Sequence, residues 1–158
     1  MSLSKRQKLS FFYFEDLPDE IILLIVSFLD IKGVLQCGQV SKRLRAISDD
    51  QSLWLKLNLY GREVPYGFIE KAIQNGCEYL NLGYCCVHGG EKLEVPWKLK
   101  YLELSQSGDG EDLMALDQGV LENCHFLQKL AVENLQLDSD AIEQICQNGE
   151  TLQILSLE

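Results

Sequence analysis

Five short alternating triplets constrain this chain more than any other feature. Leu57-Asn58-Leu59, Leu80-Asn81-Leu82, Leu102-Glu103-Leu104, Leu130-Ala131-Val132 and Leu155-Ser156-Leu157 share one apolar-x-apolar pattern, with first leucines 23, 22, 28 and 25 residues apart. In the last three units another leucine stands three residues earlier, at Leu99, Leu127 and Leu152. Successive residues of a strand point to opposite faces, so the leucines enter a core and their neighbours face outward. Chance explains one such triplet; five at compatible spacings predict one strand plus one helical segment per unit, stacked along the chain. Between the triplets, Gly67 to Asn75 (Phe68, Ile69, Ala72, Ile73) and Asp140 to Gln147 (Ala141, Ile142, Ile145, Cys146) carry helical periodicity.

A period of 20–29 residues with L-x-x-L-x-L is the leucine-rich-repeat signature. The fit is imperfect. The asparagine or cysteine expected three residues after each triplet is met by Cys85, but Arg62, Ser107 and Leu135 stand there in other units. Residues 104–120 are irregular and rich in Gly and Asp, which predicts a distorted helix or a long loop.

Residues 17–54 follow a different pattern. Leu17-Pro18-Asp19-Glu20 opens a helix: proline suits the first turn, and the acidic pair meets the positive end of the helix dipole. The run Ile21 to Leu29 then has Ser27 as its one polar residue. An ordinary surface helix shows a single apolar stripe. A helix apolar nearly all round needs cover on every side, and a small unit seldom provides it, so a second protein is expected over part of it. Asp30 can cap a second helix, Ile31 to about Gln39, with Val34 and Leu35. A third runs from about Ser41 to Ser48, with Lys42, Arg43 and Arg45 outward and Leu44 and Ile47 inward, and Asp49 to Trp54 forms another turn.

Charge and cysteine usage narrow the function. Residues 1–48 carry a net +2 and residues 49–158 a net −12, within a chain total of −10. The acidic portion repels phosphate backbones, so nucleic acid is not expected as a ligand and a basic protein segment fits better. A spanning helix needs about 20 apolar residues, and the run here is nine, so no membrane partner is expected. Glu15-Asp16 interrupts the apolar stretch Phe11 to Phe14, which argues against a secretory signal. The six cysteines include no C-x-x-C pair and read as reduced thiols of the cytosol or nucleus. Lys5-Arg6-Gln7-Lys8 reads as part of a disordered tail, with a weak nuclear-import signal as the alternative.

Leu17-Pro-Asp-Glu20, Ser27-Phe-Leu29, Val40-Ser-Lys-Arg43 and Asp50-Gln-Ser-Leu-Trp54 together resemble an F-box, in order and spacing, over residues 15–57. An F-box leading into such repeats resembles the F-box/leucine-rich-repeat family. The resemblance implies an α/β protein: a tail at 1–14, a three-helix F-box at 15–54, and at 55–158 a short leucine-rich-repeat solenoid with an incomplete C-terminal end. It also implies a substrate receptor of an SCF-type ubiquitin ligase, non-catalytic, without cofactor or metal, and placed in nucleus and cytoplasm. Its partners would be the SCF adaptor protein, through it a cullin–RING ligase, and a protein substrate, basic or phosphorylated. Carried over by position, Leu17, Pro18, Ile21, Leu24, Ile25, Leu29, Leu35, Val40 and Trp54 would face the adaptor. The chain departs from the family at Leu44, where tryptophan is usual, and at Gly33, where aspartate is common. Glycine should weaken the second helix by about 1 kcal/mol relative to alanine.

The outward residues of the triplets offer a substrate surface: Asn58, Tyr79, Asn81, Tyr101, Glu103, Lys129 and Glu133, with Tyr79 and Tyr101 on adjacent rungs. Cys77, Cys85, Cys86 and His88 lack the paired spacing of a zinc site, and Cys124-His125 lacks an orienting third group, so buried thiols are the expected role. Two other roles remain open from sequence: a leucine-rich-repeat scaffold capped by the helical segment, or a short competitor that occupies the adaptor without substrate. The competitor role is motivated by Glu158 following the fifth triplet directly, with no cap.

Overall fold

The structure is a computed structural model and describes residues 13–89, 98–105, 124–133, 139–147 and 150–157. The tail before residue 13, residues 106–120 of the Gly/Asp-rich stretch and Leu135 fall outside the described residues. The chain is mixed α/β and forms two compact units, residues 1–48 and 49–158.

The first unit is helical. A 3-10 turn, Phe14–Asp16, leads into α1 (Asp19–Val26), α2 (Ile31–Val40) and α3 (Lys42–Ser48). Pro18 stands at the N-cap of α1, one position earlier than its favoured place in the first turn, and Asp19 and Glu20 occupy that turn. Helix α1 is shorter than the apolar run; Ser27 turns its hydroxyl back to the Leu24 carbonyl at 2.8 Å and the chain leaves the helix there. Asp30 caps α2 by accepting from the Gly33 N–H at 2.9 Å. The core consists of Ile22 and Val26 from α1, Val34 from α2 and Ile47 from α3.

The second unit begins with α4 (Gln51–Trp54), capped by the Asp50 carboxylate on the Ser52 N–H at 2.9 Å. It continues through β1 (Lys56–Asn58), β2 (Glu63–Pro65), α5 (Tyr66–Gln74), β3 (Tyr79–Asn81), β4 (Cys86–His88), β5 (Tyr101–Ser105), β6 (Lys129–Glu133), α6 (Ser139–Gln147) and β7 (Ile154–Leu157). Five strands form one parallel sheet in the order β1-β3-β5-β6-β7, and the triplets stack in register: Leu57, Leu80, Leu102, Leu130 and Leu155 are paired rung to rung. Leu57, Leu80, Leu102 and Leu130 are buried. Leu155 is not, because β7 pairs with β6 on one side and, among the described residues, has no strand on the other.

Residues 63–65 and 86–88 form a second, two-stranded parallel sheet that the triplet pattern does not announce. Val64 and Val87 are its inward side chains. Helix α5 lies between β2 and β3, and it ends where Gly76 takes φ +84°, a left-handed value that a β-carbon disfavours. Ile69 and Ala72 of α5 are fully buried. Among the described residues, no helix is long and apolar enough to cross a membrane.

Candidate functional site

Each unit carries one surface suited to recognition. In the first unit α1 divides by its 3.6-residue period. Ile22 and Val26, four apart, are buried, while Ile21, Leu24, Ile25 and, beyond the helix, Phe28 and Leu29 stand exposed. Phe28 is 83% exposed. The residues expected to face the adaptor do not include it, although the motif Ser27-Phe-Leu29 does; its place in the turn after α1 is what brings it to the surface. Pro18 is exposed, Leu17 and Leu35 are half-buried, and Val40 is 74% exposed at the end of α2. Among the described residues, these side chains are left with apolar surface uncovered, most of it on α1 and the turn after it.

The Leu17-Pro18 entry to that surface is held by Arg43. Its guanidinium donates to the Asp19 carboxylate at 2.7 Å, to the Glu15 carbonyl at 2.7 Å and to the Leu17 carbonyl. Gly33 also has a local reason. A β-carbon there would lie 3.1 Å from the Leu29 β-carbon and 3.2 Å from the Asp30 Oδ1, so glycine lets the cap and the α1–α2 turn close together. Its helix-propensity cost is offset by that approach.

Trp54 corrects the expected set. The side chain is 0% exposed, its ring lies 5.9 Å from Phe68, and Lys71 Nζ stands 5.2 Å from its centroid. A tryptophan has more apolar area than a four-residue helix can leave in water, and α5 of its own unit covers it. It supports the second unit and presents no docking surface.

In the second unit the outer face of the large sheet is ordered in rows, because parallel strands in register align equivalent positions. The first row is Lys56, Tyr79, Tyr101, Lys129 and Ile154. Tyr79 and Tyr101 stack with ring centroids 6.5 Å apart at 30°. Lys56 Nζ lies 5.0 Å from the Tyr79 ring and Lys129 Nζ 5.5 Å from the Tyr101 ring. The two rings thus carry a cation at each end.

The second row is Asn58, Asn81, Glu103, Ala131 and Ser156. Asn58 and Asn81 do the same local work: each side-chain oxygen accepts from the backbone N–H two residues on, Tyr60 at 3.1 Å and Gly83 at 2.8 Å. Asn81 Nδ2 donates to Glu103 Oε2 at 2.9 Å, and the Tyr101 hydroxyl donates to the same oxygen at 2.7 Å. A β-carbon on Gly83 would meet the Tyr60 ring at 3.0 Å, so glycine allows that ring over the end of β3. Lys56, Leu57, Asn58, Tyr79, Asn81 and Tyr101 line a shallow concavity of about 290 Å³. Glu133 is the last residue of β6, paired with Ser105.

Of the thiols expected to be buried, Cys77, Cys85 and Cys124 are, whereas Cys86 is exposed because strand alternation turns it away from the inward Val87. Burial pushes the Cys77 thiol up to about 11 and that of Cys124 up to about 12, so both are protonated at neutral pH. The Cys85 thiol, also raised by burial, donates to the Leu59 carbonyl at 2.8 Å, tying the loop after β3 to the end of β1. Cys86 and His88 are exposed on β4, and His125 is exposed beside buried Cys124.

Residues 14–60 match the family model described as F-box-like. The F-box protein dre-1 of Caenorhabditis elegans is 41% identical over 51 residues, which is 31% of this chain and 5% of that protein. The chain therefore carries an F-box-like domain at residues 14–60, and its alignment spans a small fraction of that relative's length.

Proposed function

We propose that this chain is a substrate receptor of an SCF-type ubiquitin ligase, joined to the ligase by its F-box-like domain and to a substrate by its large sheet. The supporting observation is the open apolar patch of Ile21, Leu24, Ile25, Phe28 and Leu29 inside the residues that match the F-box-like family. F-box domains bind the small adaptor of SCF complexes. Covering these five exposed side chains would gain roughly 4–7 kcal/mol before the costs of association, a part of the driving force that the rest of the contact would have to complete. Leu17, Pro18, Leu35 and Val40 would border the contact. The chain supplies no chemistry in this role. It raises the effective concentration of a substrate lysine beside the enzyme that carries ubiquitin.

The second unit is read as a short run of leucine-rich repeats. In support stand the parallel order of the five strands, the rung-to-rung pairing of the triplets and the repeated Asn58 and Asn81 turns. The runs Asp49 to Gly61 and Asn123 to Leu130 look most like S-phase kinase-associated protein 2. Under this reading the outer rows hold the substrate, and the protein works in nucleus and cytoplasm.

Co-expression with the ligase adaptor tests the proposal. A receptor co-purifies one to one, and Pro18→Ala combined with Ile25→Asp abolishes the pairing. A scaffold capped by its own helices is monodisperse alone and indifferent to both changes.

A further inference from the structure

The charge of the chain as a whole points toward basic partners, but the first row of the large sheet has the opposite sign. Lys56 and Lys129 flank the stacked Tyr79 and Tyr101, and all four occupy equivalent positions on neighbouring strands. Lys56 and Lys129 are exposed, and Tyr79 is exposed as well. Among the described residues neither lysine forms an ion pair; each instead stands over a tyrosine face. Glu103, the acidic side chain of the next row, is turned to Asn81 and to the Tyr101 hydroxyl. These four positions are therefore an aromatic platform with one cation on each side of it.

From this arrangement we propose that the row binds an extended acidic peptide segment lying across the strands, with two carboxylates separated by three residues. The spacing follows from the sheet. Lys56 and Lys129 lie three strand spacings apart, about 14 Å at 4.8 Å per spacing. An extended chain advances about 3.3 Å per residue, so four residues cover about 13 Å. A segment of the form acid-x-x-x-acid puts a carboxylate at each lysine and its middle residue over the tyrosine pair. An apolar or aromatic middle residue suits that platform. A basic segment would bring its charges onto the two lysines and be repelled. The inference rests on the reading of the large sheet as the substrate surface and adds the class of peptide that it takes.

Fluorescence anisotropy on the full chain, co-purified with the adaptor if needed for solubility, tests both parts separately. The probes are labelled peptides with the cores Glu-Ala-Phe-Ala-Glu, Glu-Glu-Ala-Phe-Ala, Ala-Ala-Phe-Ala-Ala and Lys-Ala-Phe-Ala-Lys, together with a short oligothymidylate. The spaced acidic peptide should bind about tenfold or more tighter than the neutral and basic ones, and more weakly as salt rises. It should also outbind the peptide with adjacent acids. The double variant Lys56→Glu, Lys129→Glu should remove that preference, and Lys56→Arg, Lys129→Arg should keep it. Circular dichroism on each variant shows that the fold is intact.

If the neutral or basic peptide binds best, and Tyr79→Ala weakens it, the sheet is a substrate surface and the acidic assignment is overturned. Equal binding of oligothymidylate and acidic peptide overturns it too, since the row would then be a general anion site. If no peptide's binding depends on Tyr79 or on the lysines, both the acidic assignment and the reading of the sheet beneath it fall.

Discussion

Arg43 grips Asp19 across 24 residues of sequence, with guanidinium nitrogens 2.7 and 2.6 Å from one carboxylate oxygen. The same guanidinium takes the carbonyls of Glu15 and Leu17, so one side chain of α3 fixes the path of the chain into α1. The ion pair is largely exposed and is worth under about 1 kcal/mol. The two carbonyl bonds add about 1 kcal/mol each. Arg43→Ala should therefore lower the stability of the first unit by about 1–3 kcal/mol, and Asp19→Asn by less. Arg43→Lys should not restore the lost stability, because an ammonium cannot reproduce the fork. Thermal melts of the three variants check the order.

Within α1, surface and core positions alternate closely enough to separate docking from folding. Ile25→Asp or Phe28→Asp places a charge on an exposed position and should change folding stability by about 1 kcal/mol or less. Either should weaken adaptor binding by roughly thirtyfold or more, the effect of losing a hot-spot contact. Val26→Asp, one residue from Ile25, puts the charge in the core and should unfold the helical unit outright. Calorimetric titration with the adaptor, paired with circular dichroism, distinguishes the two outcomes.

Trp54→Ala should destabilise the second unit by about 3–5 kcal/mol, through a cavity facing Phe68 and loss of the largest buried side chain there. Its effect on the adaptor would follow only from that unfolding. A variant that stayed fully folded yet lost adaptor binding would put Trp54 back on a docking surface. Urea unfolding and pull-down on the same preparation provide the comparison.

The buried thiols give the second unit an alkaline limit. With the Cys77 and Cys124 thiols raised to about 11 and about 12, the unfolded chain ionises first as pH passes the ordinary value of 9.0. Above that point the native state holds more protons than the unfolded state, so stability falls with pH until the folded thiols ionise too. Their contribution is intact below pH 9.0 and is lost between there and about 12. Iodoacetamide at pH 8 with peptide mapping should label exposed Cys86 and Cys146 first, and Cys77 and Cys124 only after unfolding.

What the sequence determined by itself is local and periodic. The two-residue alternation of the triplets placed five strands and the buried leucines of the first four, because pleating fixes which side chains share a face. Asp30 marked a helix start through a hydrogen bond that reaches three residues. Periodicity put Arg43 on the outer side of α3, but it contains nothing about the carboxylate and carbonyls that close on it from the other end of the unit. The tertiary structure alone decided which apolar residues stay uncovered. Trp54 and Phe28 are both large aromatics in F-box-like positions, yet α5 encloses one and nothing among the described residues encloses the other. The pairing of residues 63–65 with 86–88, and the line of Lys56, Tyr79, Tyr101 and Lys129, likewise depend on register between strands more than twenty residues apart. A side chain's burial and its charged neighbours are set by whatever the folded chain brings beside it, and short-range pattern cannot specify that.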